Sequence, residues 1–406
     1  MNAISRISGY RCCVRCTLLV SACMLLVLVG WLPPTTFADG GAPQLAYVAG
    51  AGQGISIIDI AQQRITRSLA VGGEPRTVLL SQDGSALYVT QPTLGRVAVI
   101  DAKTGKTRCT ANLPGQPLLL ALRLDGAILY VAGQGDTSVR ALNPAKCTVE
   151  RTFETHQPIY GLAVAASTAA DATPDTPNQI WIAGTTSLTV FDATGNLLGT
   201  VAIVDGPQHI TIPGGFTAYV TTRQGTVVAV DLNTRTVFRT LLSGSQFGSM
   251  DYDAPTGEVY VPDELHNQLD VLIPVTADSP QTPQEPVRII ALSGSPQSVA
   301  ITNDGALGFV ALSNGQVLML DVPGRKVVSS FAVGGTPRFV ITGSYPPIDN
   351  PPSSSQQTVI HTPSISNLLL ILSVALAGCL LLSVVWLSWR YYLKRPAGHD
   401  AAQKHL

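Results

Sequence analysis

Chemistry in this chain has to be sought among few residues. Arg76 and Arg338 each directly follow a proline that opens an apolar run, and Gln208 and Gln297 hold the same place after Pro207 and Pro296. A guanidinium presents a fork of N–H donors that matches a carboxylate or phosphate. Two such groups at one mouth, flanked by amides, would clamp an oxyanion. Without a ligand, the same arginines would lie in exposed loops and bond Glu74 and the turn carbonyls. His209 follows Gln208, His156 precedes a similar apolar run, and His266 sits just after Glu264. The three histidines lack the short spacing that a zinc or copper set would show. They read as loop histidines, and neither a metal nor another cofactor is expected.

Three other stretches invite chemistry and do not sustain it. Gly50-Ala51-Gly52-Gln53-Gly54 follows a strand pattern but leads into another strand, so a phosphate would lack its helix N-terminus. Gly244-Ser245-Gln246-Phe247-Gly248 is not the G-x-S-x-G elbow, which requires a strand-to-helix turn to strain its serine. Asp251-Tyr252-Asp253 lacks the remaining oxygen ligands of a calcium loop.

The elements that must position these residues form a repeat. Aligning the aromatic of a Tyr-Val pair gives Tyr47, Tyr88, Tyr130, Trp181, Tyr219, Tyr260 and Phe309, spaced by 41, 42, 51, 38, 41 and 49 residues. A second anchor ends the next apolar run at Asp59, Asp101, Asn143, Asp192, Asp231, Pro274 and Asp321. A third is Pro75, Pro117, Pro158, Pro207, Pro296 and Pro337, with Gln246 where the proline is missing. A period near 40 in a strand-rich chain is that of propeller blades.

Each unit divides into four short runs of Val, Ile, Leu and Tyr separated by Gly, Asp and Asn, which is strand-and-turn composition. In unit two the strands are expected at 76–81, 86–90, 97–101 and 107–113, and no helical spacing interrupts the array. The run after the proline is taken as innermost and the Tyr-Val run as second. The array opens on a second strand, 45–49, and closes on an extra innermost strand, 338–342. That last strand can only complete the first blade. The fold class is therefore all-β, a seven-bladed propeller of four-stranded blades whose ring closure removes exposed sheet edges.

The ends differ from the body. Of 406 residues, 46% are hydrophobic and 13% charged. Residues 39–363 carry 18 Lys plus Arg against 25 Asp plus Glu, net -7, while each flank is net +3. An acidic body lacks the basic face that a nucleic acid requires. Arg6, Arg11 and Arg15 precede an apolar run that ends before Thr36-Phe37-Ala38, a secretory signal over residues 1–38. The propeller is assigned to 39–345 and a Pro/Ser-rich stalk to 346–364, a spacer able to reach on the order of 60 Å. A transmembrane helix follows over 365–389, with twenty uncharged residues at its centre, enough for about 30 Å of hydrocarbon. Trp386, Trp389, Tyr391 and Tyr392 beside Arg390, Lys394 and Arg395 place the tail, 390–406, in the cytoplasm. Long insertions at 166–178 and 274–286 leave the face where the array begins and ends, the face turned toward the membrane.

Of seven cysteines, only Cys109 and Cys147 fall in the propeller, in outermost strands of neighbouring blades. An exported compartment would permit a disulfide, whereas the splay of outer strands would keep them apart, and both readings stand. Cys13-x-x-Cys16 has no partner pair.

Leu87-Tyr88-Val89-Thr90, Val97-Ala98-Val99-Ile100-Asp101 and Thr104-Gly105 resemble the YVTN-family β-propeller repeat. Asp83-Gly84, Val71-Gly72-Gly73-Glu74-Pro75 and Val333-Gly334-Gly335-Thr336-Pro337 match further elements of it. The resemblance covers residues 45 to about 342 and is weakest in blades four and six. It implies a surface-layer or secreted propeller. The same architecture looks like that of lactonases, quinoprotein dehydrogenases and the nitrous-oxide reductase propeller. The repeat specifies fold rather than chemistry, and no site residue is carried over.

Two functions fit. One is a membrane-anchored extracytoplasmic binding or scaffold module, with the lipid bilayer as one partner and a protein or envelope ligand on the face opposite the stalk. The other is an exported enzyme, lactonase-like or quinoprotein-like, with its site in the central channel. The innermost starts, Arg76, Leu118, Ile159, Gln208, Gly248, Gln297 and Arg338, include no carboxylate, which favours the first.

Overall fold

Short runs of branched and aromatic residues, each closed by a Gly, Asp or Asn turn, can satisfy their backbone groups only by pairing with the neighbouring run. The computed structural model, which describes residues 45–167, 178–278 and 288–343, shows that pairing blade after blade. Among the described residues there are seven four-stranded antiparallel sheets. The signal, stalk, membrane-helix and tail segments lie outside the described residues, as do the centres of the two insertions. Among the described residues no helix is long and apolar enough to cross a membrane.

Blade two contains Val78–Leu80, Ala86–Gln91, Arg96–Asp101 and Thr107–Asn112, in that order from the axis outward. Its innermost strand is shorter than expected, because the Thr77 amide donates to the Thr90 hydroxyl at 2.9 Å instead of to a backbone carbonyl. A single 3-10 turn, Pro92–Leu94, interrupts the all-strand pattern. The ring closes as expected: Phe339–Thr342 pairs with Leu45–Ala51, Tyr47 opposite Ile341 and Val48 opposite Val340. The closing strand also packs on blade seven, where the Val340 amide donates to the Ser298 hydroxyl at 3.1 Å.

The three sequence anchors have separate physical roles. The aromatic ring of each unit is buried between sheets, at 5% exposure or less in all seven blades. The acidic anchor clamps the turn between third and fourth strands. Asp59, Asp101, Asp192, Asp231 and Asp321 each accept a backbone N–H from that turn, as from Thr104 to Asp101 at 2.7 Å, and Asn143 does the same. Arg108, followed by the Thr104 bonds, holds the Asp101 carboxyl well below the usual carboxylate range. In blade six the register places Ile273, not Pro274, at this position, since Tyr260 faces Val271. That blade has lost its turn clamp and carries the insertion instead.

Blade six also departs at the axis. Its innermost strand is only Asp251–Tyr252, because Ser249 just before it bonds blade seven instead of its own. The Ser249 amide donates to the Gln297 carbonyl at 3.0 Å, and the Val299 amide donates to the Ser249 carbonyl at 3.2 Å.

Cys109 and Cys147 are joined in a disulfide, with Cα atoms 6.1 Å apart. Of the two readings left open, the structure selects pairing. The bond ties the third-to-fourth-strand turn of blade three to the outer strand of blade two. Replacing both cysteines by serine is expected to cost about 4 kcal/mol through the released loop entropy. Denaturant unfolding under oxidising conditions measures the loss, and dithiothreitol should reproduce it in the native protein.

Candidate functional site

The innermost strands surround an axial cavity of about 310 Å³. Arg76, Arg338, Gln208, Gln297 and His209 all line it. Their common placement follows from the repeat: each stands within two residues of the start of an innermost strand, and these starts converge at one mouth. Close packing of neighbouring blades enforces the convergence. A methyl group at Gly161 would overlap the Gln208 carbonyl oxygen, and one at Gly248 would overlap the Gln297 carbonyl oxygen. Only glycine lets these backbones approach.

The arginines do not make the contacts expected of exposed loop residues. Arg338 is half-buried, and its Nη1 donates to Gln297 Oε1 at 2.9 Å rather than bonding Glu74. The Gln297 amide in turn donates to Glu264 Oε2 at 3.2 Å. An amide thus relays between a carboxylate and a guanidinium that do not touch. Arg76 is exposed and, among the described residues, makes no hydrogen bond or ion pair. Desolvation, and then the neighbouring Arg76 charge, lower the Arg338 pKa. The mouth holds two cationic groups and one carboxylate, which leaves uncompensated positive charge.

His209 is not a solvated loop histidine. It is half-buried in the cavity wall, its backbone amide donates to Thr221 Oγ1 at 3.0 Å, and desolvation pushes its pKa down to about 4. It is neutral at physiological pH, an uncharged donor or acceptor for a ligand. His156 is exposed at a turn with φ of 55°. His266 lies away from the cavity with its ring nitrogen 2.8 Å from Asp263. The three histidines do not meet, and no group of three potential ligands converges on a metal position among the described residues.

Two carboxylates do line the cavity, which corrects the expectation drawn from the strand starts. Glu264 arrives from the end of the second strand of blade six, four residues beyond its aromatic anchor. Burial raises its pKa. Asp251 arrives from the shortened innermost strand, where its carboxyl accepts the Ile301 amide at 2.7 Å and burial raises its pKa to about 7. The sequence signal for Glu264 lies in the repeat phase. The equivalent position in blade three is Gln134, which also lines the cavity. Arginine occupies it in blade five, where Arg223 stacks over the cavity-lining Tyr160 at 4.0 Å from the ring centroid.

The two ends of the axis differ. Toward the other face, residues from the innermost strands of blades three, four and five line a second cavity of about 280 Å³, whose Leu, Ile, Val and Ala side chains are interrupted by the hydroxyls of Ser167 and Thr211. Asp251 and Tyr252 line both cavities.

No family model matches this chain. No curated protein matches it either. Solved structures do resemble it. The dihydro-heme d1 dehydrogenase NirN, in complex with DHE, superposes with a TM-score of 0.55 at 13% identity over 76% of this chain and 77% of that one. The Cps50 (Swd1) β-propeller domain of Myceliophteria thermophila gives 0.53 at 15% identity over 68% and 90%. A hydrazine synthase of Kuenenia stuttgartiensis gives 0.49 at 17% over 63% and 79%. At such identities the likeness concerns architecture alone, and on it, together with the closed ring of four-stranded sheets, this chain is a seven-bladed β-propeller.

Proposed function

We propose that this protein is a membrane-anchored extracytoplasmic binding module that takes an oxyanion-bearing ligand at the axial mouth on the face opposite its stalk. The observation that carries this reading is the pair Arg76 and Arg338, brought to one cavity where Glu264, linked to Arg338 through Gln297, is the carboxylate nearest them in the hydrogen-bond chain. Gln297 orients Arg338, while Arg76 keeps its donors for a ligand. The signal at 1–38, the spacer at 346–364 and the apolar span at 365–389 support export and anchoring. They also support presentation of the ring to an envelope partner.

The test is thermal unfolding of the detergent-solubilised full chain titrated with succinate and, separately, inorganic phosphate. At a concentration one hundredfold above Kd, binding adds about 2.7 kcal/mol of stability. A rise in Tm is expected with at least one probe and should vanish in the Arg76→Ala/Arg338→Ala variant. An equal rise in the variant, or none in the wild type with either probe, overturns the proposal. Which probe acts separates a carboxylate ligand from a phosphate.

The presence of Glu264, Asp251 and neutral His209 in the same cavity favours a second reading, the exported hydrolase or oxidoreductase. Turnover of lactones or reduction of an electron acceptor, lost on replacing Asp251, would select it over binding alone.

A further inference from the structure

Asp251 stands where the other blades place uncharged side chains. The innermost-strand residue opposite each aromatic anchor is Ile341, Leu79, Ala121, Ala163, Thr211, Asp251 and Ala300 in blades one to seven. Six are apolar or hydroxylic and uncharged. A carboxyl at this register opposes the pattern that the other blades follow, and such local violations concentrate at functional positions.

Its surroundings define what it could meet. The second cavity, about 280 Å³, is walled by aliphatic side chains such as Leu120, Leu162, Ile210 and Ile212. Phe216, 59% exposed, stands at its rim. Among the described residues Asp251 is the one aspartate or glutamate lining this cavity, and no lysine, arginine or histidine lines it. The carboxyl is fixed by the Ile301 and Tyr252 backbone amides and has no ion-pair partner among the described residues. A lone carboxylate in an apolar pocket with an aromatic ring at the rim complements a protonated amine on an apolar body. The ammonium supplies the missing charge, and the body displaces water from the aliphatic wall.

We propose that this second axial cavity is a binding site for a cationic amine bearing an apolar group, with the ammonium on Asp251 and the apolar group between Phe216 and the aliphatic wall. The inference is independent of the arginine mouth, which occupies the opposite end and takes the opposite charge. Burial sets the Asp251 carboxyl near pH 7, so affinity for an amine that stays protonated should rise from about pH 6 to about pH 8 as the carboxylate forms. The other titratable groups facing the axial cavity are Arg76, Arg338, Glu264, His209, Tyr160 and Tyr252. His209 titrates near 4, below this window.

Calorimetric titration of the full chain in detergent with phenethylammonium tests the proposal, with 2-phenylethanol and phenylacetate as neutral and anionic comparators. Phenethylammonium should bind at least about tenfold more tightly than either comparator. Asp251→Asn, which keeps the acceptor for the Ile301 amide, should lose that preference, and Phe216→Ala should weaken binding of the amine. If Asp251→Asn does not fold, Asp251→Glu should retain the preference with altered affinity. Equal affinity for the ammonium and the alcohol, an undiminished preference in Asp251→Asn, or no binding of the amine by the wild type overturns the proposal.

Discussion

Replacing Val340 by aspartate is expected to destabilise the ring by on the order of 5 kcal/mol, the largest effect of any single substitution considered. Val340 is 1% exposed on the closing strand. It faces Val48 across the seam and packs in a cluster with Ala46, Phe309, Ala311 and Val317, which joins blades one and seven. A carboxylate there would be buried without a cation, and the strand that closes the ring would have to leave to hydrate it. Leaving exposes the inner edge of blade one, so aggregation should accompany the loss of stability. The comparison is Val328→Asp on the outermost strand of blade seven, where the side chain is 44% exposed. That change should stay within about 0.5 kcal/mol. Urea unfolding of both variants measures the contrast, and comparable losses would mean that the seam carries no special share of the stability.

The second large effect is expected at Trp181. Its side chain is fully buried between blades four and five against Leu188, Val190, Val201, Ala218 and Val220, and its indole N–H donates to Gln179 Oε1 at 3.2 Å. Trp181→Ala removes the largest of the anchor side chains and leaves a cavity in a rigid wall, at a cost of about 4 kcal/mol. Trp181→Tyr, the residue type of most other blades, should cost about half as much, because it keeps much of the packing. Denaturant unfolding orders the two. A loss below about 1 kcal/mol in Trp181→Ala would show that the blades can collapse around the void.

The legibility of the fold followed its physics. Strand pairing and blade closure are dictated by local composition repeated many times, so Tyr47 to Phe309 and the closing strand could be placed from spacing alone. The arginine mouth was legible for the same reason, since Arg76, Arg338, Gln208 and Gln297 share one repeat position. What composition does not encode is register and the commitment of a backbone to a neighbouring blade. The backbone at Phe247 and Gly248 bonds its own blade, Ser249 then bonds blade seven, and Asp251 returns to its own blade. Asp251 faces its aromatic anchor at the same register as Leu79 and Ala300 do, three residues beyond the expected strand start, where a count of strand starts does not find it. Glu264 was hidden because it enters from a second strand rather than an innermost one. The Cys109–Cys147 bond depended on the separation between the outer strand of one blade and a turn of the next, which a one-dimensional pattern leaves undetermined.

In the proposed reading, an acidic body takes an anion through the arginine mouth. With net -7 over residues 39–363, long-range attraction is absent. Recognition must come from the short-range geometry of two guanidinium groups in a partly desolvated mouth. The most direct measurement is therefore an electron-density map of the protein with whichever of succinate or phosphate raises its Tm. The account predicts an ordered anion bridging the two arginines, with oxygens about 3 Å from the Arg76 and Arg338 guanidinium nitrogens. An empty mouth with the anion bound elsewhere would contradict it.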